Sequence, residues 1–164
     1  MNIKNIIVTT VILFIFWILL DNTFELLNLL LGAGLALFLS LIFCRSCNVF
    51  GDMKLTPLGI TYTFIYLFVF FIELLKSNLD VARRVISPSL PIKPGIVEVK
   101  TNLKSPMGRM ILANSITLTP GTLTVDIEED RLFIHWIEVK TADPEQATNE
   151  IVRKFEKYLE KIYG

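Results

Sequence analysis

The sequence predicts an α-helical membrane region of two to three hydrophobic helices followed by a small C-terminal α+β domain of element order β-α-β-β-α, and three observations carry that prediction. Hydrophobic residues fill 52% of the 164 positions and mean hydropathy is +0.56, too apolar for a soluble domain unless the apolar residues are concentrated. They are concentrated: between Ile6 and Ile72 the only charged residues are Asp21, Glu25, Arg45, Asp52 and Lys54, whereas charges recur every few residues from Glu73 onward. The charged part then carries alternating β-branched runs, proline caps and turn signals. Three segments follow: a transmembrane hairpin over 1–54, a long membrane or interfacial helix with a proline-rich linker over 55–91, and a cytoplasmic α+β domain over 92–164.

Three uncharged runs build the first two segments, Ile6 to Leu20, Leu26 to Cys44 and Leu55 to Ile72. At 1.5 Å per residue the second and third approach the roughly 30 Å hydrocarbon thickness. The first reaches only about 22 Å, so it spans if Asn2 to Asn5 extend it and Lys4 snorkels. A cleavable signal peptide would have this length, but DNTFELL after Leu20 is no small-residue cleavage site and a second apolar run follows at once. The pair therefore reads as a retained hairpin. Lys4, Arg45 and Lys54 flank its ends while its turn holds only Asp21 and Glu25, which puts both ends in the cytoplasm. On the second run Gly32, Ala36 and Ser40 recur every four residues, the spacing of a close helix-packing face and a candidate subunit contact.

The third run raises a parity question. A full crossing would place Lys76, Arg83, Arg84 and the C-terminal domain outside. Either the N-terminus starts outside and there are three crossings, or the segment enters the interface, or packs on partner subunits, without crossing. Thr56-Pro57 starts a helix with no further proline before Pro88. Its later half carries Glu73, Ser77, Asp80 and Arg84 on one stripe and Leu75, Leu79, Ala82 and Ile86 on another, which suits a membrane surface.

SPSLPIKPG then reads as an extended linker. Beyond it, Gly95 to Thr101 is a first strand, and Ser105-Pro106 opens a helix with Met107, Met110, Ile111 and Asn114 at helical spacing. Pro120-Gly121 turns the chain into Thr122 to Ile127, a strand with one wet face on which Leu123, Val125 and Ile127 alternate with Thr122, Thr124 and Asp126. Glu128 to Asp130 is the hairpin turn, and Arg131 to Lys140 the returning strand, apolar on both faces. Asp143-Pro144-Glu145-Gln146 caps a final helix whose Ala147, Ile151, Phe155, Tyr158, Leu159 and Ile162 form a buried stripe. A right-handed crossover makes the first two strands parallel and the third antiparallel to its hairpin mate, with two helices covering them.

Ala113 to Thr122, ANSITLTPGT, stands out as ten uncharged residues in a charged half. It holds no acid, base or thiol. Turn and capping chemistry explains Pro120 and Gly121, and a docking surface using Asn114, Thr117 and Thr119 is the alternative.

In this order, the apolar hairpin, SNLDVARRVISP (77–88), IKPGIVEV (92–99), ANSITLTPGTLTVDI (113–127) and FIHWIEV (133–139) resemble the E component, MnhE or MrpE, of the multisubunit cation/proton antiporter called Mrp, Mnh, Pha or Sha in different bacteria. The resemblance covers nearly the whole chain. It implies a small subunit of a seven-part complex that exchanges cytoplasmic Na+ for external protons, with ion translocation in the large subunits and the E component in assembly and support. The partners implied are the other membrane subunits and the lipid bilayer of the inner (plasma) membrane, with no enzyme activity of its own. A membrane-anchored adaptor unconnected to ion exchange is the alternative.

The remaining chemical candidates each have a plain counterpart. Cys44 and Cys47 have C-x-x-C spacing but lack two further metal ligands nearby. His135, the single histidine, has no obvious carboxylate partner in its motif for a proton relay. Glu73 and Asp80, acids near a membrane, have Lys76 and Arg84 within helical pairing distance. Basic and acidic residues balance at 16 each, which gives no nucleic-acid footprint, and no motif calls for a cofactor.

Overall fold

The structure is a computed structural model that describes residues 3–21, 23–46, 52–54, 56–141 and 143–164. The chain divides into two compact units, Met1–Met53 and Lys54–Gly164.

The first unit is a helical hairpin of α1 (Ile3–Asp21) and α2 (Leu26–Ser46). Large apolar side chains such as Phe16, Leu19, Leu30 and Phe38 point outward, as lipid-facing helices require. What holds the pair together is the small-residue stripe. Gly32 lies under the Trp17 ring, so close that a Cβ there would sit 2.3 Å from Trp17 Cδ1. Ala36 and Ser40 are buried, and the Ser40 hydroxyl accepts from Thr10 Oγ1 at 2.8 Å and donates to the Ile6 carbonyl at 3.2 Å. Close backbone approach and interhelical hydrogen bonds replace the hydrophobic drive that lipid removes.

The second unit contains α3 (Pro57–Ile86), β1 (Gly95–Lys100), α4 (Pro106–Leu118), β2 (Thr122–Glu128), β3 (Arg131–Trp136), α5 (Pro144–Ile151) and α6 (Arg153–Tyr163). Each proline at a helix start follows a side chain that caps it: Thr56 accepts from Gly59 N, Ser105 from Gly108 N and Asp143 from Glu145 N. The final helix divides at Val152 into α5 and α6, yet one stripe stays buried through both, with Ala147, Ile151, Phe155, Leu159 and Ile162 inside and Tyr158 half-buried.

The sheet order is β1-β3-β2, with β3 antiparallel to both neighbours. Strands β1 and β2 run in the same direction, as the crossover predicts, but β3 lies between them. Its double-sided apolar pattern is that of a central strand. Helices cover one face only, against Val97, Val99, Leu132, Ile134 and Trp136. The other face carries Ile96 and His135, both exposed, with Phe133 half-buried.

Two sequence expectations change here. On β2, Leu123 and Val125 are half exposed and it is Thr122 and Thr124 that turn inward, because their hydroxyls donate to the Ile116 and Ala113 carbonyls of α4. A bulge between Thr124 and Asp126 then swaps the faces, so that Ile127 pairs with the buried Leu132. On α4 the buried side is Gly108, Leu112, Ser115 and Ile116, whereas Met110 and Asn114 are exposed. The stripe expected from the methionines is displaced around the helix.

Helix α3 packs on α6 and completes the core. Phe70 meets Phe155 with ring centroids 6.2 Å apart, and Phe155 is fully buried, worth about 2–3 kcal/mol for that side chain. The Tyr66 hydroxyl bonds Ser115 of α4. A domain of this size gains little from its own core, and α3 enlarges it.

Candidate functional site

The Pro120-Gly121 turn, the end of β3 and the α5–α6 junction enclose a cleft of about 220 Å³ against α3. Gly121 makes the turn possible. Its φ is +94°, a conformation that favours glycine, and an added Cβ would lie 3.1 Å from Ile137 Cγ2 and 3.7 Å from Val81 Cγ2. Its carbonyl accepts from Ile137 N at 2.9 Å, which fixes the turn to the strand end.

Arg84 is the hub of the cleft. Its Nε donates to Asp80 at 2.8 Å, Nη1 to the Pro91 carbonyl at 2.7 Å and Nη2 to Glu138 at 2.6 Å. One guanidinium thus joins α3, the proline linker and the residues after β3. The linker is pinned further by Lys93, whose N–H donates to the Ile137 carbonyl at 3.0 Å and whose carbonyl accepts from Val139 N at 2.8 Å. Lys140 and Glu150 pair at 3.1 Å across the mouth. Lys154 lies 3.6 Å from Glu73, which also holds Lys76 at 2.8 Å. Burial pushes the Lys154 ammonium below the usual lysine pKa, against the opposing pull of Glu73. The acids and bases of the cleft are thus spent on one another, which makes it a joint between elements.

The uncharged motif behaves similarly. Ser115 Oγ donates to the Ile111 carbonyl at 2.7 Å, Thr119 Oγ1 to the Ser115 carbonyl at 2.7 Å, and Thr122 Oγ1 to the Ile116 carbonyl at 2.7 Å. Thr117 Oγ1 accepts from Thr124 N at 3.1 Å. These hydroxyls finish the α4 C-terminus and stitch it to β2, the local capping that such residues favour. Asn114 differs. It is exposed on α4 beside a shallow depression lined by Ala113, Thr117 and Val125.

The other candidates lie apart from the cleft. Gly32, Ala36 and Ser40 are on the α1-facing side of α2, and Cys44 Sγ is 3.6 Å from Thr9 Oγ1 with a free thiol. Cys47 lies outside the described residues. His135 is exposed on the helix-free face of the sheet. Glu73 and Asp80 sit in the ion pairs that their helical spacing suggests. Among the described residues no three His, Cys, Asp or Glu side chains converge as a metal site would require.

One buried group escaped the sequence reading. Glu156 is 1% exposed, and its Oε1 accepts from Thr101 Oγ1 and from Asn102 N, both at 2.6 Å, while Oε2 pairs with Arg153. The signal was present: Glu156 falls four residues after Val152 and three before Leu159, on the apolar stripe. An acid there must be satisfied by donors, and the loop after β1 supplies them.

Residues 10–162 match the family model described as Na+/H+ ion antiporter subunit, MNHE. The chain is 36% identical over 148 residues to the Na+/H+ antiporter E1 component of Staphylococcus haemolyticus, covering 85% of this chain and 86% of that protein. It is 34% identical over 159 residues to the corresponding E1 component of Staphylococcus saprophyticus, covering 95% and 92%. Among solved structures, a chain of the membrane-bound sulfane sulfur reductase, an archaeal respiratory membrane complex, matches with a TM-score of 0.83 and 41% identity over 96% of this chain and 98% of that one. The chain belongs to the MNHE family of Na+/H+ ion antiporter subunits.

Proposed function

We propose that this chain is an accessory, non-catalytic subunit of a multisubunit monovalent cation (Na+)/proton antiporter complex in the plasma membrane, with its α+β domain in the cytoplasm. The observation that carries this reading is the family match along 10–162. The chemistry of the cleft agrees with it, since Arg84, Asp80, Glu138, Lys140 and Glu150 are engaged with one another and offer no ready group for ion or proton passage. The cytoplasmic assignment draws on Lys4, Arg45 and Lys54 around the hairpin ends, against Asp21 and Glu25 in its turn. In this role Gly32, Ala36 and Ser40 build the hairpin that neighbouring subunits meet, and the exposed Asn114 and Thr117 mark the side of α4 open to a partner, while the buried Thr119 holds the helix end behind them.

Deleting the gene and measuring Na+/H+ exchange in everted membrane vesicles tests the proposal. Exchange should fall together with recovery of the intact complex, and return when the chain is supplied again. Unchanged exchange with an intact complex would sink it.

A second reading has its own support. The similarity to a chain of a membrane-bound sulfane sulfur reductase, an archaeal respiratory membrane complex, points to a parent complex that carries redox subunits. Purification in mild detergent separates the two: hydrophilic subunits carrying redox cofactors co-purify in the second case, and only membrane subunits in the first.

A further inference from the structure

We propose that α3 does not cross the bilayer but lies in its plane, as an amphipathic beam whose apolar face sits in the cytoplasmic leaflet and whose polar face carries the α+β domain. This rests on the membrane reading of the chain, not on the identity of the parent complex. By length and composition α3 is apolar enough to cross, so the argument turns on what covers its faces.

One face is occupied by charged protein. From Tyr66 to Arg84, a rise of about 27 Å, successive turns of α3 meet Ser115, Phe155, Lys154 and Glu138 of the domain. That length nearly equals the roughly 30 Å hydrocarbon thickness. A crossing α3 would drag α6, with Arg153, Lys157 and Lys161 exposed, into lipid.

The opposite face is bare and bulky. Phe64, Phe68, Phe71, Leu75 and Leu79 are 47–69% exposed on one stripe. Its composition identifies the occupant. Helix contacts within a bilayer use small residues, as Gly32, Ala36 and Ser40 do in this same chain, whereas no glycine or serine interrupts the α3 stripe. Large aromatic and aliphatic side chains suit acyl chains. Lys76 and Arg83 project along one edge of the stripe, where phospholipid phosphates lie. Lys76 is paired only at the surface, with Glu73, and Arg83 shows no protein partner among the described residues.

The test is site-directed spin labelling of the full chain, with Cys44 and Cys47 replaced by serine, reconstituted in phosphatidylcholine vesicles with and without phosphatidylglycerol. Nitroxides at Phe64, Phe71 and Leu79 should share one shallow depth and be readily relaxed by oxygen. Adding phosphatidylglycerol should deepen them, and K76Q combined with R83Q should abolish that shift. Depths that pass through the bilayer centre and emerge opposite would overturn the proposal in favour of a crossing. Labels inaccessible to oxygen in the purified parent complex would overturn it in favour of a protein partner. A failed assembly test with shallow labels would instead defeat only the antiporter reading.

Discussion

Replacing Arg84 by methionine tests whether the cleft is a structural joint. Methionine keeps much of the packed stem and removes the three charge-assisted hydrogen bonds. The Arg84 side chain is 14% exposed, but Asp80 is 55% and Glu138 34% exposed, so both carboxylates regain water when the guanidinium leaves. The Asp80 pair is then worth about 0.5 kcal/mol, and the Glu138 pair about 1 kcal/mol. The Pro91 carbonyl bond, made by a charged donor, adds roughly 1 kcal/mol. The sum, about 2–3 kcal/mol, lowers the melting temperature of the detergent-solubilised chain by on the order of 10 °C. Lysine offers one compact charge in place of a three-way fork, so R84K should recover less than about half of the loss. The position of the damage is as diagnostic as its size. Because Arg84 holds Pro91, proteolysis of the linker at 88–95 should quicken in R84M while cleavage within the α1–α2 hairpin stays unchanged. An R84M chain that melts with its parent and keeps its linker protected would refute the reasoning.

Three further outcomes follow from individual contacts. Glu156→Ala strands the Thr101 hydroxyl and Asn102 N–H and should cost about 3–5 kcal/mol, whereas Glu156→Gln keeps an acceptor for both and should cost under half as much; equal melting of the two variants would contradict this assignment. Gly32→Val must displace the Trp17 ring and should shift Trp17 emission in a W136F background, while Gly34→Val, with nothing within 4 Å of its Cβ, should leave the spectrum unchanged. Lys154 has a folded-state pKa below its usual 10.5, so between the two values the unfolded chain binds more protons and stability rises with pH; below that window its penalty is constant, and K154M should flatten the alkaline rise in a pH series of melts.

The elements most legible in the sequence were those written by local chemistry. Thr56-Pro57, Ser105-Pro106 and Asp143-Pro144 each pair a capping oxygen with a first-turn proline, and each starts a helix. The small-residue stripe at Gly32, Ala36 and Ser40 marks a real packing face for the same reason: its meaning depends on spacing within one helix. The strand order was harder to read. Alternation in β3 shows that both faces are apolar, but only pairing shows that it lies between β1 and β2.

The instructive failures concern which stripe faces what. In β2 the apolar residues Leu123 and Val125 look outward because the threonines between them have carbonyls to reach on α4, so capping chemistry overrides the hydrophobic pattern. In α3 the polar stripe looks like the solvent face until Glu73 and Arg84 are seen to meet Lys154 and Glu138. Period locates two faces on a helix and cannot name the surroundings of either. When a chain has both lipid and a charged domain as neighbours, the polar side can be the one that packs on protein and the apolar side the one left bare. That inversion explains why a helix with the hydropathy of a membrane span forms the outer wall of a charged domain.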